Sequence, residues 1–119
     1  MFVYFINVPL NEVGMLEFEE YAKEMPNVKT FTLTQDEYET LRQPKGLFQE
    51  FDDKFGIFID VCEEERINED ALKEALQIAK KHLLKRNSEI AKNGILKVIE
   101  SLECAIACKT FWEIDIYLE

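Results

Sequence analysis

The sequence predicts a single α+β domain spanning residues 1–119, with about four strands in one mixed sheet packed by four or so helices. Three features point to that class. Between Ser88 and Leu118 a helical apolar pattern runs into a strand pattern. Ala91, Ile95, Val98, Ile99, Leu102 and Ile106 form one stripe, after which Trp112, Ile114, Ile116 and Leu118 alternate with Phe111, Glu113, Asp115 and Tyr117. Phe2 to Val8 is a β-branched and aromatic run of strand length, ended by Pro9. Helical and strand patterns alternate along the rest of the chain without a linker, low-complexity segment or internal repeat, so no domain boundary is expected.

The predicted order is strand, helix, strand, helix, strand, helix, helix, strand. Phe2 to Val8 is read as a central strand buried on both faces, because it lacks a polar alternation. Asn11 can cap a helix over residues 12–24, whose glutamates gather near its N-terminus, and Met25-Pro26-Asn27 ends it. Val28 to Leu33 alternates as a short strand. Thr34 followed by Glu37 has the form of a capping box and opens a helix to about Gln43, with further helical turns through Leu47, Phe48 and Phe51 before Gly56. Gly56 to Val61 is read as the third strand and Cys62 to Arg66 as a charged loop. Leu72, Ala75, Leu76, Ala79 and Leu83 make the stripe of a helix over residues 69–86, with Lys80, Lys81, Lys85 and Arg86 at the end where the helix dipole favours cations. Asn87-Ser88 separates it from the last helix.

The 119 residues carry a formal charge of -10, and the acid lies in the first half: residues 1–70 hold 17 Asp and Glu against 6 Lys and Arg, residues 71–119 hold 7 against 8. A field of that sign repels nucleic acid and steers basic proteins. No window has the run of uncharged apolar residues that a membrane span needs, and Met1 to Val8 lacks the form of a signal peptide. With three cysteines and no secretion signal, reduced thiols and a cytoplasmic location are expected.

Motifs of catalysis are sparse. The single histidine, His82, stands in a lysine-rich helix end and reads as exposed or packed. No glycine-rich loop or nucleophile elbow is present. Asp52-Asp53 reads as a solvated helix end, and its surroundings do not fit a calcium loop. Cys104 and Cys108, four apart, would need His82 or Cys62 to complete a zinc site, and their alanine neighbours favour packing. The basic residues 80–92 match a helix C-terminus. No cofactor, no metal and no catalytic residue is expected.

The residues that stand out are acids mixed with aromatic rings on strands. Phe58 and Asp60 on the third strand, with Glu113, Asp115 and Tyr117 on the last, would share a face if those strands were neighbours. Charge for steering and rings for desolvated contact are what a site for a basic protein requires.

In size, in acidity and in the segment Phe111-Trp112-Glu113-Ile114-Asp115-Ile116-Tyr117, the chain resembles the immunity proteins that protect bacteria from polymorphic or contact-dependent toxins. The resemblance implies a stoichiometric inhibitor of a basic toxin domain, with nucleases among the targets, and no direct contact with nucleic acid or membrane. Two alternatives differ in class. One is a homo-oligomeric structural or regulatory domain, a dimer included, joined through the apolar face of the last strand. The other is a small enzyme that uses buried carboxylates.

Overall fold

The two most apolar strand segments lie side by side. In the computed structural model, which describes residues 1–119, β1 (Phe2–Pro9) pairs antiparallel with β4 (Trp112–Leu118), from Phe2 opposite Leu118 to Asn7 opposite Glu113. β2 (Val28–Leu33) pairs with the other edge of β1, and β3 (Glu64–Ile67) with the outer edge of β4, giving the order β2-β1-β4-β3. Every pairing is antiparallel, where a mixed sheet was expected. A parallel neighbour requires a crossover, and none of the helices that link the strands returns the chain in that sense.

Five helices complete the domain: α1 (Glu12–Glu19), α2 (Gln35–Leu41), α3 (Leu47–Phe55), α4 (Leu72–Leu83) and α5 (Glu89–Cys108). No helix is long and apolar enough to cross a membrane. α2 to α5 cover one sheet face, where Tyr4, Ile6 and Val8 of β1, Leu33 of β2, Ile67 of β3 and Trp112, Ile114 and Ile116 of β4 join one core with Phe48, Phe51, Leu72, Val98 and Leu102. On the apolar side of β4, Trp112, Ile114 and Ile116 are therefore buried against the chain's own helices, and Leu118 at its end is exposed. Trp112 donates its indole N–H to Ser101 Oγ at 2.8 Å, and that hydroxyl donates to Val98 O, so α5 and β4 are tied by a buried polar link as well as by packing.

Local chemistry explains most boundaries. The capping box forms in both directions: Thr34 Oγ1 accepts from the Glu37 N–H at 3.1 Å and Glu37 Oε1 accepts from the Thr34 N–H at 2.9 Å. α5 runs for 20 residues, with Ser88 as its cap and Lys109 in the left-handed region at its end. α1 stops at Glu19, earlier than expected, because Tyr21 turns into the left-handed region at φ 51° and Val13 and Leu16 find no core to bury against.

The third strand is displaced. Residues 57–60 form no strand: Ile59 is buried in the core while its N–H goes to Asp52 Oδ1 at 2.8 Å, and the Val61 N–H goes to Asp60 Oδ1. Strand-like alternation there records one buried anchor and no ladder. The strand is Glu64–Ile67 instead, which overlaps the segment Cys62 to Arg66 expected to be a charged loop; Glu64 and Arg66 belong to the face that helices leave open and Ile67 to the face they cover. β1 differs in a related way: Tyr4, Ile6 and Val8 are buried, but Val3, Phe5 and Asn7 on the opposite face are only half-buried.

Candidate functional site

The face turned away from α2 to α5 carries two rows of side chains set by strand register. Thr30, Asn7, Glu113 and Arg66 run across β2, β1, β4 and β3 in one row, and Thr32, Phe5, Asp115 and Glu64 form the next. α1 closes one end. Gly14 lets it approach the start of β2 so closely that a Cβ there would stand 2.1 Å from Asn27 O, and Glu17 accepts from the Asn27 backbone N–H at 3.0 Å. From α1, Phe18 packs edge-on against Phe111.

Between α1 and the sheet lies a cavity of about 750 Å³. Its floor is polar, formed by Asn7, Thr30, Glu64, Arg66, Glu113 and Asp115; its walls include Phe5, Phe18, Tyr21, Met25 and Tyr117. The floor is a connected network. Thr30 Oγ1 donates to Asn7 Oδ1 at 2.7 Å, Asn7 Nδ2 donates to Asp115 Oδ2 at 2.7 Å, and Arg66 Nε donates to Glu113 Oε1 at 3.0 Å. The guanidinium of Arg66 lies 3.7 Å from the centre of the Phe111 ring, which fixes its plane.

Glu113 and Asp115 are only 6% and 9% exposed, so neither is displayed on a surface as the sequence suggests. Burial, with the neighbouring Asp115 carboxylate as second cause, pushes the Glu113 carboxyl up to about 8 against the pull of Arg66. At neutral pH Glu113 therefore carries a proton beside Asp115. Asp115 Oδ1 has no donor among the protein's other groups, so only that proton or an incoming ligand can satisfy it. One oxygen each from Glu64, Glu113 and Asp115 lie within 4.8 Å of one another, which makes this trio the one group of carboxylates close enough to share a cation.

Of the five residues singled out in the sequence, Glu113, Asp115 and Tyr117 come together here and Phe58 and Asp60 do not. The latter pair lies on the irregular segment after α3, where Asp60 accepts from the Tyr38 hydroxyl at 3.3 Å and Phe58 sits under Arg42 at 5.5 Å. They are separated from the cavity because the segment that carries them never joins the sheet. Sequence reasoning missed Asn7, Thr30, Glu64 and Arg66. Asn7, the one amide side chain in β1, and the charged run Glu64-Glu65-Arg66 before Ile67 held the signal for three of them.

The other candidates have structural roles. His82 is buried and its Nε2 lies 2.7 Å from Glu50 Oε1, linking α4 to α3. Asp52 is mostly buried, paired with Arg42 at 3.0 Å and capping the Ile59 N–H, and burial raises its carboxyl above the ordinary range. Cys104 and Cys108 adjoin on α5, where burial, and then its neighbour's thiol, raises Cys104, while Cys62 is exposed elsewhere. Comparison of the chain with protein-family models, curated proteins and solved structures found no match.

Proposed function

We propose that the protein is a stoichiometric binding protein, an inhibitor of the immunity type, which receives a cationic group from a basic protein partner in the cavity on its open sheet face. What supports this is the buried Asp115, whose Oδ1 lacks a partner at the base of an acidic, aromatic-walled recess. The one donor within its reach is the proton of Glu113, and a ligand that brings positive charge and N–H groups can take that proton's place on a buried acceptor. The walls add apolar contact, and Glu19 and Glu64 add acidic charge to the lining. In this reading the cavity holds its occupant and does no chemistry on it. The partner expected is a basic toxin domain, with nucleases the first class to try.

The test is recovery of the partner from the native host, followed by rebinding of the two purified proteins. A one-to-one complex is expected, with association slowed by salt and by Glu113→Lys with Asp115→Lys, and with a faster dissociation for Asp115→Asn. Binding that ignores both salt and these substitutions would remove the cavity from the interface.

One observation favours a second reading. Adjacent carboxyl groups, one of them protonated near neutral pH, are also the equipment of acid-base catalysis, and Glu113 beside Asp115 meets that description. Turnover of a small substrate by the isolated chain, lost in Glu113→Gln, would establish it over the binding role.

A further inference from the structure

The oxygens of the cavity floor are not arranged alike for every kind of cation. Arginine recognition uses a planar fork that lays two N–H groups on the two oxygens of one carboxylate. On this floor the two buried carboxylates each have an oxygen engaged. Glu113 Oε1 takes Arg66 Nε, and Asp115 Oδ2 takes the Asn7 amide. A second guanidinium would also have to lie beside the Arg66 guanidinium, which is held in place over Phe111. The floor instead offers single oxygens from three different carboxylates, Glu64, Glu113 and Asp115, gathered within 4.8 Å. Three convergent acceptors suit a compact head with three N–H donors.

A hard divalent cation also favours oxygen, but three protein oxygens supply half or less of the six to eight that calcium takes. Arg66 adds a fixed positive charge on the same carboxylate. Phe5, Phe18 and Tyr117 give the recess the apolar sides that a methylene stem would line.

We infer that the cavity selects a primary ammonium on an alkyl stem, as carried by a lysine side chain or a free diamine, over a guanidinium or a divalent metal ion. The inference rests on the cavity being a cation site and narrows what fills it. Arrival of the ammonium gives Asp115 Oδ1 a donor in place of the Glu113 proton, which leaves to solvent.

The experiment is an NMR titration of the full chain, following the backbone amides of Glu113 and Asp115 and the side-chain amide of Asn7. The probes are n-butylamine, n-butylguanidine, calcium, magnesium and manganese. Butylamine is expected to bind with a dissociation constant on the order of millimolar, as its few heavy atoms allow, and at least about tenfold more tightly than butylguanidine, the discrimination worth about 1.4 kcal/mol. Asp115→Asn should abolish the shifts. Glu64→Gln, at an exposed position that leaves the fold undisturbed, should weaken butylamine several-fold, and Asp60→Asn, remote from the cavity, should not. Equal or tighter binding of butylguanidine, saturation by a divalent ion without response to amine, or indifference to Glu64→Gln would each overturn the inference. Acetyl-lysine amide and cadaverine then separate the sources: parity of the lysine derivative with butylamine assigns the ammonium to a protein chain, and a tenfold preference for cadaverine to a free diamine. A chain that binds amines but no basic protein would refute the partner reading alone. Capture of a basic protein that survives Asp115→Asn would refute the ammonium inference alone.

Discussion

Raising the pH from 6 to 8 should weaken the fold through one side chain, Glu113, and its replacement by glutamine should remove that weakness. The folded protein holds a proton on Glu113 up to about pH 8, while the unfolded chain releases it near the ordinary value of 4.5. Between those two values the folded state binds more protons than the unfolded one, so stability falls as the pH rises. The drop between pH 6 and pH 8 is about 2 kcal/mol for a folded value of 8, taking 1.36 kcal/mol per unit and allowing for half-ionisation at the upper limit. Groups facing Glu113 set the window: Asp115 and Tyr117 on its own strand, Glu64 and Arg66 on β3, and Glu19 and Tyr21 at the end of α1, while β1 and β2 contribute only neutral Phe5, Asn7 and Thr30. Urea unfolding of wild type and Glu113→Gln at pH 6, 7 and 8 isolates the effect of the pair, since titrations remote from it are common to both chains. The difference in stability between the two should move in favour of the glutamine variant by about 2 kcal/mol across the series. Parallel pH profiles would refute the buried, shared-proton description of the pair.

Three further outcomes follow from particular contacts. Asp115→Asn exchanges a neighbouring carboxylate for a neutral amide that can donate, and carboxyl-carbon NMR should show Glu113 titrating at lower pH than in wild type. Ser101→Ala strands the buried indole N–H of Trp112 and should cost about 1–3 kcal/mol in chemical denaturation, whereas a surface serine substitution such as Ser88→Thr, which keeps its cap hydroxyl, should cost little. Gly14→Ala drives a methyl group into Asn27 O and should destabilise the protein by about 1–3 kcal/mol, with the largest amide shifts in α1 and around the cavity and small ones in α4 and α5.

The fold was legible where burial and period agree. Val98, Ile99 and Leu102 on α5 and Trp112, Ile114 and Ile116 on β4 are buried as their spacing requires, and the Thr34–Glu37 box forms as its chemistry demands. The third strand was not legible, because Ile57 and Ile59 look like a strand on apolarity alone, whereas Glu64–Ile67 gains its place from the ladder with β4. Strand identity at a sheet edge depends on a partner distant in sequence, which local pattern does not encode. The candidate site was half legible for the same reason. Parity put Glu113, Asp115 and Tyr117 on one face, but which residues lie opposite them depends on sheet order, and that order brought Asn7 and Arg66 alongside in place of Phe58 and Asp60.

The middle of the sheet joins strands from opposite ends of the chain, and the Asn7–Asp115 hydrogen bond spans 108 positions. Such a long closure is entropically demanding and slow to find, so β1 must wait in the folding chain for its chief neighbour while its apolar side remains uncovered. The same arrangement brings the amide of Glu119 to 2.9 Å from the carbonyl of Met1. A short glycine-serine bridge across that gap, with a new opening between α4 and α5, would turn the remotest pairing into a hairpin, and the rearranged molecule should fold faster to the same architecture.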